Sequence, residues 1–318
     1  MIVVSEWLDD YGLDLLSQLP IKHVYNPDLW SSVGALHNEL HGARALIIRN
    51  QTRVDGDLLD AAPRLQVIGR LGVGLDNIDV NACQAHRVVI VYARGANAPA
   101  VVEYVLGALL HSMRPWLDWS TNTKSGAWSR RLGGREIYGK TLGVVGLGDI
   151  GSRVARAARA LGMNVEAYDP HLAPFHSLIA DGTVTPIATM EELLQRADAI
   201  TLHASLRPET YHLLNHQTLS YIQPGSILIN TARGSLIDEA ALVQQLQDQR
   251  LGPVYLDVRE VEPPPLPDPL ARYAQVHLTP HLAGLSQESR LRTTTLVLED
   301  VVRVLTDRPA RSPVRWTH

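Results

Sequence analysis

A chain of 318 residues, 45% apolar and 19% charged, has length for about two domains and enough apolar material to fill their cores, which excludes a disordered scaffold. Lys and Arg number 29 against 33 Asp and Glu, giving a net charge of −4 with no basic run, so a nucleic-acid partner held by clustered positive charge is excluded. No apolar stretch reaches the roughly 20 residues that cross a bilayer, no basic-then-apolar leader opens the chain, and the lone Cys83 can form no intrachain disulfide; a cytoplasmic protein with no membrane partner is expected.

Short β-branched runs alternate with helix-length segments from the first residues onward. The first series of strands is read at 2–4, 23–25, 45–48, 65–68 and 88–91, with helices at 9–19 and 57–62. A long apolar helix at 98–110 follows the turn 94–99. A second series of strands, at 141–145, 164–168, 199–202, 226–229, 254–256 and 276–278, leads to another long helix at 287–306 and a short tail. Strands alternating with helices imply parallel sheets covered on both faces. Two such series predict an α/β protein of two doubly wound parallel-sheet domains. The economical division makes 1–98 the first part of one domain, 99–287 a domain inserted into it, and 288–318 the helix and tail that return to complete the first. A ligand is then expected in the crevice between the two. The proline-rich segment 263–269 can be neither helix nor central strand, because proline lacks the N–H, and is read as a rigid surface loop.

Gly146, Gly148 and Gly151 form a G-x-G-x-x-G pattern that follows one predicted strand and opens a helix read at 152–161. The first glycine permits the tight turn, the second lets a pyrophosphate approach the backbone, and the third lets helix and strand pack closely. Free N–H groups at the helix start, around Asp149 and Ile150, then face the phosphates. The next strand ends at Asp169, near the expected spacing of about 20 residues. A carboxylate there accepts from the ribose hydroxyls and repels a 2′-phosphate, and no arginine stands in 170–174, so the cofactor is NAD rather than NADP.

Three later segments place polar side chains just past predicted strands. They are Asn230-Thr-Ala-Arg233-Gly234, Asp257-Val-Arg259-Glu260-Val-Glu262-Pro263 and Thr279-Pro-His281-Leu-Ala-Gly284. In an open parallel sheet the carboxyl ends of strands line the ligand crevice. Arginine can grip a carboxylate with two parallel bonds, histidine can take or give a proton near neutrality, and a neighbouring carboxylate orients it and favours the imidazolium. Against this, most of the 13 histidines of any such chain are structural, and Glu262 competes with Glu260 and Asp257 for the role of partner. No metal site is read.

These segments, with Gly69-Arg70-Leu-Gly72-Val73-Gly74-Leu-Asp76-Asn-Ile-Asp79, Gly95-Ala-Asn97-Ala98 and Glu103, occur in one order over roughly 45–285. The pattern resembles the NAD-dependent D-isomer-specific 2-hydroxyacid dehydrogenases, which include phosphoglycerate dehydrogenases. The resemblance implies a flavodoxin-like substrate domain carrying an inserted Rossmann domain. It also implies His281 as acid/base, Glu262 as its partner (the acid directly before proline), and Arg233 as the anchor of the substrate carboxylate. The backbone N–H groups of Val73 and Gly74 would hold that carboxylate's other side, and Asn97 would lie near the substrate. Asp257 would bind the nicotinamide carboxamide; His203, Ala232 and Gly284 would also meet the cofactor, although His203 could instead be structural.

Substrate choice is less legible. Arg49 and Arg70 resemble positions that grip a second anion in phosphoglycerate dehydrogenases, and Arg130 could join them; the alternative is that these arginines only tie loops together. Tyr92-Ala-Arg94 departs from the family's usual Asn-x-Pro, while Val4-Ser-Glu-Trp-Leu-Asp9 resembles the sulfolactate-dehydrogenase-like branch. A 3-phosphoglycerate- or 3-sulfolactate-like D-2-hydroxy acid is expected, with a glyoxylate or hydroxypyruvate reductase, or an NAD-sensing protein of corepressor type, as alternatives. No long C-terminal regulatory extension is seen, so serine feedback through one is not expected. The apolar helix at 98–110 and Trp116, Trp119 and Trp128 resemble a dimerisation arm, so a homodimer is expected; those tryptophans could instead be core.

Overall fold

The computed structural model describes residues 1–131, 133–173 and 176–314. Pro174, in the stretch read for arginines after Asp169, and residues 315–318 of the tail lie outside them. The chain divides into two compact units, Met1–Asn97 with Leu285–His318, and Ala98–Gly284.

The first unit runs β1 (Ile2–Val4), α1 (Asp10–Ser17), β2 (His23–Tyr25), α2 (Val33–Leu40), β3 (Ala45–Ile48), α3 (Gly56–Ala61), β4 (Val67–Arg70), α4 (Val80–Ala85) and β5 (Val89–Tyr92). All five strands are parallel, in the order β2-β1-β3-β4-β5. β1 and β3 are apolar throughout and wholly buried, as strands covered on both faces must be. Asp9, Asp55 and Asp79 each start a helix by accepting an N–H from its first turn, which places α1, α3 and α4 immediately after their loops. Because the chain turns left from β1 to β2 and right from β3 to β5, the order reverses between β1 and β3.

The second unit runs α5 (Ala98–Met113), α6 (Trp116–Lys124), β6 (Thr141–Val145), α7 (Asp149–Ala160), β7 (Asn164–Tyr168), α8 (Ser177–Ala180), β8 (Thr185–Pro186), α9 (Met190–Arg196), β9 (Ala199–Leu202), α10 (His216–Ser220), β10 (Ile227–Asn230), α11 (Glu239–Gln247), β11 (Val254–Leu256) and β12 (Val276–Leu278). Its seven strands are also parallel, in the order β12-β11-β10-β9-β6-β7-β8, with the reversal between β6 and β9. One face of α5, through Val101, Val105 and Leu109, is buried in this unit's own core. Among the described residues no helix is long and apolar enough to cross a membrane.

The chain returns to the first unit as α12 (Gln287–Leu305), capped by Ser286. Its Val297 and Val301 lie so close to β4 that a Cβ on Gly69 would approach them to 2.8 and 2.9 Å. With Leu298 and Leu305 they complete a core shared with β1, β3 and α1.

Several elements begin elsewhere than the sequence pattern predicts, for local reasons. β4 starts at Val67 rather than 65, because the Leu65 N–H closes a turn onto the Ala62 carbonyl. β10 starts at Ile227 rather than 226, because Ser226 N–H turns back to Gln223 and its hydroxyl donates to the Ala197 carbonyl. α7 starts at Asp149 rather than 152, with Gly148 as its N-cap, so Gly151 lies inside the helix.

Candidate active site

The glycine turn leaves β6 at the point where the strand order of the second unit reverses, the place where open α/β sheets hold ligands. Gly146 sits at φ 91°, a backbone region that glycine occupies without strain, and a Cβ there would press on the His203–Ala204 backbone at 2.9–3.0 Å. A Cβ on Gly151 would stand 2.0 Å from the Gly146 carbonyl oxygen, so only glycine lets α7 approach the turn this closely. Gly148, by contrast, faces open space, and as an N-cap it offers no side chain to the N–H groups of Asp149 and Ile150. Bare amide donors at a helix start with room above them could hold a phosphate.

Asp169 ends β7 and is tied to the same turn. Its Oδ2 accepts from Leu147 N–H at 2.8 Å and its Oδ1 from His171 N–H at 2.9 Å. Each oxygen keeps a lone pair for a hydroxyl donor. Beyond it lies a cavity of about 470 Å³ lined by Tyr168, Pro170, Leu172, Ile179 and Ile187, an apolar slot beside the carboxylate. The residues therefore fit a dinucleotide. His203 packs behind the turn, with Nε2 3.0 Å from Thr201 Oγ1, and burial lowers its pKa to about 4, so the ring is neutral.

Arg233, Glu262 and His281 follow β10, β11 and β12 in turn, and the structure brings them together. His281 Nδ1 lies 2.8 Å from Glu262 Oε2. Since a carboxylate can only accept, this bond puts a proton on Nδ1 and leaves Nε2 for a substrate. Burial alone would raise the Glu262 pKa, but the His281 ring, the Arg259 N–H at 3.0 Å and the charge of Arg233 outweigh it and hold the carboxyl below its ordinary range. His281 itself sits at φ 54°, a left-handed conformation uncommon outside glycine.

Three devices hold these loops. Asp257, 1% exposed, accepts from Thr279 Oγ1 at 2.6 Å, Leu282 N–H at 2.9 Å and Ala283 N–H at 2.8 Å, while its carbonyl accepts from His281 N–H at 2.7 Å. It thus ties down the loop on both sides of His281, and Tyr104 joins through Thr279 at 2.6 Å. Asn230, fully buried, accepts from Ala232 N–H and donates to the Arg233 carbonyl, fixing the arginine turn. Arg259, 8% exposed, forks onto Glu239 and Asp268, and Glu239 also accepts from Glu260 N–H. Burial would lower the Arg259 pKa, but the two carboxylates carry it above the usual value. Through Asp268 this pair anchors the proline-rich segment. The competing acid Glu260 binds a different histidine, His212, at 2.6 Å.

Sequence reasoning assigned Asp257 to the cofactor and missed its hold on the histidine loop; it missed Asn230 and the Arg259 cluster altogether. Only the burial of polar and charged residues expected at a surface distinguishes them. Ala232 lies in the arginine turn and Gly284 closes the histidine loop.

In the first unit, Arg70 wraps its own loop, donating from Nε to the Gly74 carbonyl at 3.0 Å and from Nη1 to the Leu71 carbonyl at 2.8 Å. This leaves the N–H groups of Val73 and Gly74 without partners among the described residues. The Oδ1 of Asn97 is likewise buried with no partner. Arg49 lies over the ring of Trp7, its guanidinium carbon 5.2 Å from the centroid. Arg130 stands on an exposed stretch of the second unit and joins neither the glycine turn nor the His281 group.

Fold and site define a dinucleotide-binding oxidoreductase, and the comparisons with known proteins narrow it. Residues 106–283 match the model of the D-isomer specific 2-hydroxyacid dehydrogenase NAD binding domain. The chain is 39% identical over 305 residues to (S)-sulfolactate dehydrogenase of Chromohalobacter salexigens, covering 96% of this chain and 98% of that one. It is 36% identical over 314 residues to D-3-phosphoglycerate dehydrogenase of Bacillus subtilis, covering 98% of this chain but only 58% of that one. Among solved structures, the TT0316 protein of Thermus thermophilus superposes with a TM-score of 0.89 at 32% identity, over 99% of each chain. The chain belongs to the D-isomer specific 2-hydroxyacid dehydrogenase family and is an NAD-dependent oxidoreductase of it.

Proposed function

We propose that this enzyme oxidises, or forms by reduction, a small D-2-hydroxy acid whose far end carries a second anion, as in 3-sulfolactate or 3-phosphoglycerate. The observation that carries the chemistry is the 2.8 Å bond that holds the His281 ring against Glu262, with Arg233 on the adjoining loop. In the oxidative direction His281 Nε2 takes the proton of the 2-hydroxyl, and Glu262 stabilises the imidazolium that results. Arg233 grips the substrate carboxylate and stabilises charge on the oxygen that becomes a carbonyl. Bound NAD supplies the acceptor for the hydride that leaves the 2-carbon. Asp257 keeps the histidine loop in place and has one lone pair left for the carboxamide.

From the first unit, the unpartnered amides of Val73 and Gly74 and the orphaned Oδ1 of Asn97 are assigned to the substrate's carboxylate and hydroxyl. Arg49 is assigned to the second anion. Arg70, already spent on two loop carbonyls, shapes the loop that presents those amides. This reading draws support from the sulfolactate dehydrogenase relative, which matches nearly end to end.

The test is reduced-nicotinamide absorbance with NAD against D- and L-lactate, glycerate, 3-phosphoglycerate and 3-sulfolactate, with NADP as control. Selective turnover of phosphorylated or sulfonated acids is expected; preference for lactate would refute the second anion. A homodimer is also proposed. α6 buries none of its residues, and Trp116, Leu117, Trp128 and Tyr138 are all more than half exposed in one stretch of chain. Light scattering at micromolar concentration should give twice the chain mass, and a monomer would refute it.

A further inference from the structure

The reversal of strand order between β1 and β3 makes the carboxyl ends of those two strands the ligand-binding position of the first sheet. Trp7 follows β1, Arg49 follows β3, and Arg290 enters from the first turns of α12. Arg49 lies over the Trp7 ring at 5.2 Å and Arg290 lies over the same ring at 5.6 Å. Two guanidiniums thus share one indole.

Among the described residues no acid hydrogen-bonds to either guanidinium. The buried Glu6 carboxylate is fully engaged with the backbone, accepting from the N–H groups of Arg49, Asn50, Gln51 and Thr52 at 2.8–3.1 Å. Asp9, also near Arg49, is spent capping α1 through Gly12 N–H at 2.8 Å. Arg290 Nε is buried with no hydrogen-bond partner among the described residues. A buried donor left unpaired is costly, and the ring face compensates only part of a desolvated cation. Glu6 meanwhile fixes the Arg49 backbone, so the arrangement is preorganised rather than collapsed. A planar carboxylate offers its lone pairs in a single plane, whereas a sulfonate or phosphate, with three terminal oxygens, offers them in three directions and so suits two guanidiniums that approach from different sides.

We propose that Arg290, braced with Arg49 on Trp7, selects substrates whose far end is a tetrahedral oxyanion. The proposal rests on the 2-hydroxy-acid reading above and adds Arg290 and Trp7 to the residues that choose the substrate.

The test compares the full-length enzyme with its Arg290→Gln and Arg290→Lys variants at constant ionic strength. With NAD, the kcat/KM for 3-sulfolactate and for 3-phosphoglycerate, each divided by that for glycerate, should fall about 10- to 100-fold in Arg290→Gln. The loss should appear in KM, and Arg290→Lys should recover part of it. Titration calorimetry with inorganic sulfate and inorganic phosphate should show binding to the wild type that weakens at least about tenfold in Arg290→Gln. Ratios and anion affinities within twofold of wild type would overturn the role of Arg290 while leaving the dehydrogenase reading intact. Anion binding that depends on Arg290, in an enzyme that oxidises no acid of the panel, would sustain the site and refute the substrate reading. The two sulfur and phosphorus arms decide which tetrahedral group the site prefers.

Discussion

Both units are parallel sheets that present polar residues at their carboxyl edges, yet they treat charge in opposite ways. In the second unit the groups that carry and brace the proton have protein partners. His281 has Glu262, Arg259 has Glu239 and Asp268, and Asp257 accepts three hydrogen bonds. In the first unit Arg49 and Arg290 rest on an indole, and among the described residues no acid is hydrogen-bonded to either guanidinium. Groups that move protons must hold their geometry before a substrate arrives, so they are paired within the protein. Groups that recognise a substrate's charge must keep their hydrogen bonds for it.

The contrast can be broken at its strongest point by removing the proton carrier. His281→Asn should lower turnover about 100- to 10,000-fold while NAD affinity, read by fluorescence titration, stays near wild type. Turnover close to wild type would take His281 out of the chemistry.

Arg259 tests whether pairing in the second unit is structural. Arg259→Met strands two carboxylates, of side chains only 19% and 8% exposed, without their cation. A loss of about 3–5 kcal/mol in denaturant unfolding is expected. A change below about 1 kcal/mol would mean that the cluster merely fills space.

Glu262 sharpens the comparison through pH. Its folded pKa lies below the ordinary carboxylate value, so the stability it contributes is present in full above about pH 5 and is lost as the pH falls through the lowered value. The difference in melting temperature between wild type and Glu262→Gln should therefore be constant above about pH 5 and shrink below it. A difference that grows on acidification would contradict the assignment.

A second pH-linked effect belongs to His203. Its folded pKa of about 4 lies under the ordinary histidine value, so below about pH 6.5 the unfolded chain binds a proton that the folded chain refuses. Stability drains away as pH falls from about 6.5 towards 4, and His203→Gln should flatten that slope in a series of thermal melts.

The same contrast explains what could be read from the chain before its structure was known. The glycine turn, Asp169 and the Glu-Pro and Pro-His segments are local signals, since each residue's neighbours in sequence disclose its task. The parallel, doubly wound class followed from alternation of strand and helix, whereas the strand orders did not. The pairings that brace the site are different. Arg259 meets Glu239, Asp257 meets the 279–283 loop and Trp7 meets Arg290 across 20 to nearly 300 residues, and no local pattern marks which loops will adjoin. Gly148 as N-cap shifted the start of α7 by three residues, because a helix can begin wherever its first carbonyl finds an N–H. For Arg70 the sequence left two readings open, an anion grip or a loop tie, and its Nε and Nη1 bind the carbonyls of its own loop.

One feature of the first unit bears on how the protein is made. α12 follows the whole second unit in the chain, yet its Val297 and Val301 fill the groove over Gly69 that β4 leaves open. During synthesis the first 97 residues emerge from the ribosome with that groove uncovered, and the second unit, a continuous segment, is complete before α12 exists. The unit that begins the chain is thus the last to finish folding, and a ribosome that stalls before residue 297 releases a nucleotide-binding unit attached to an exposed, unfinished sheet.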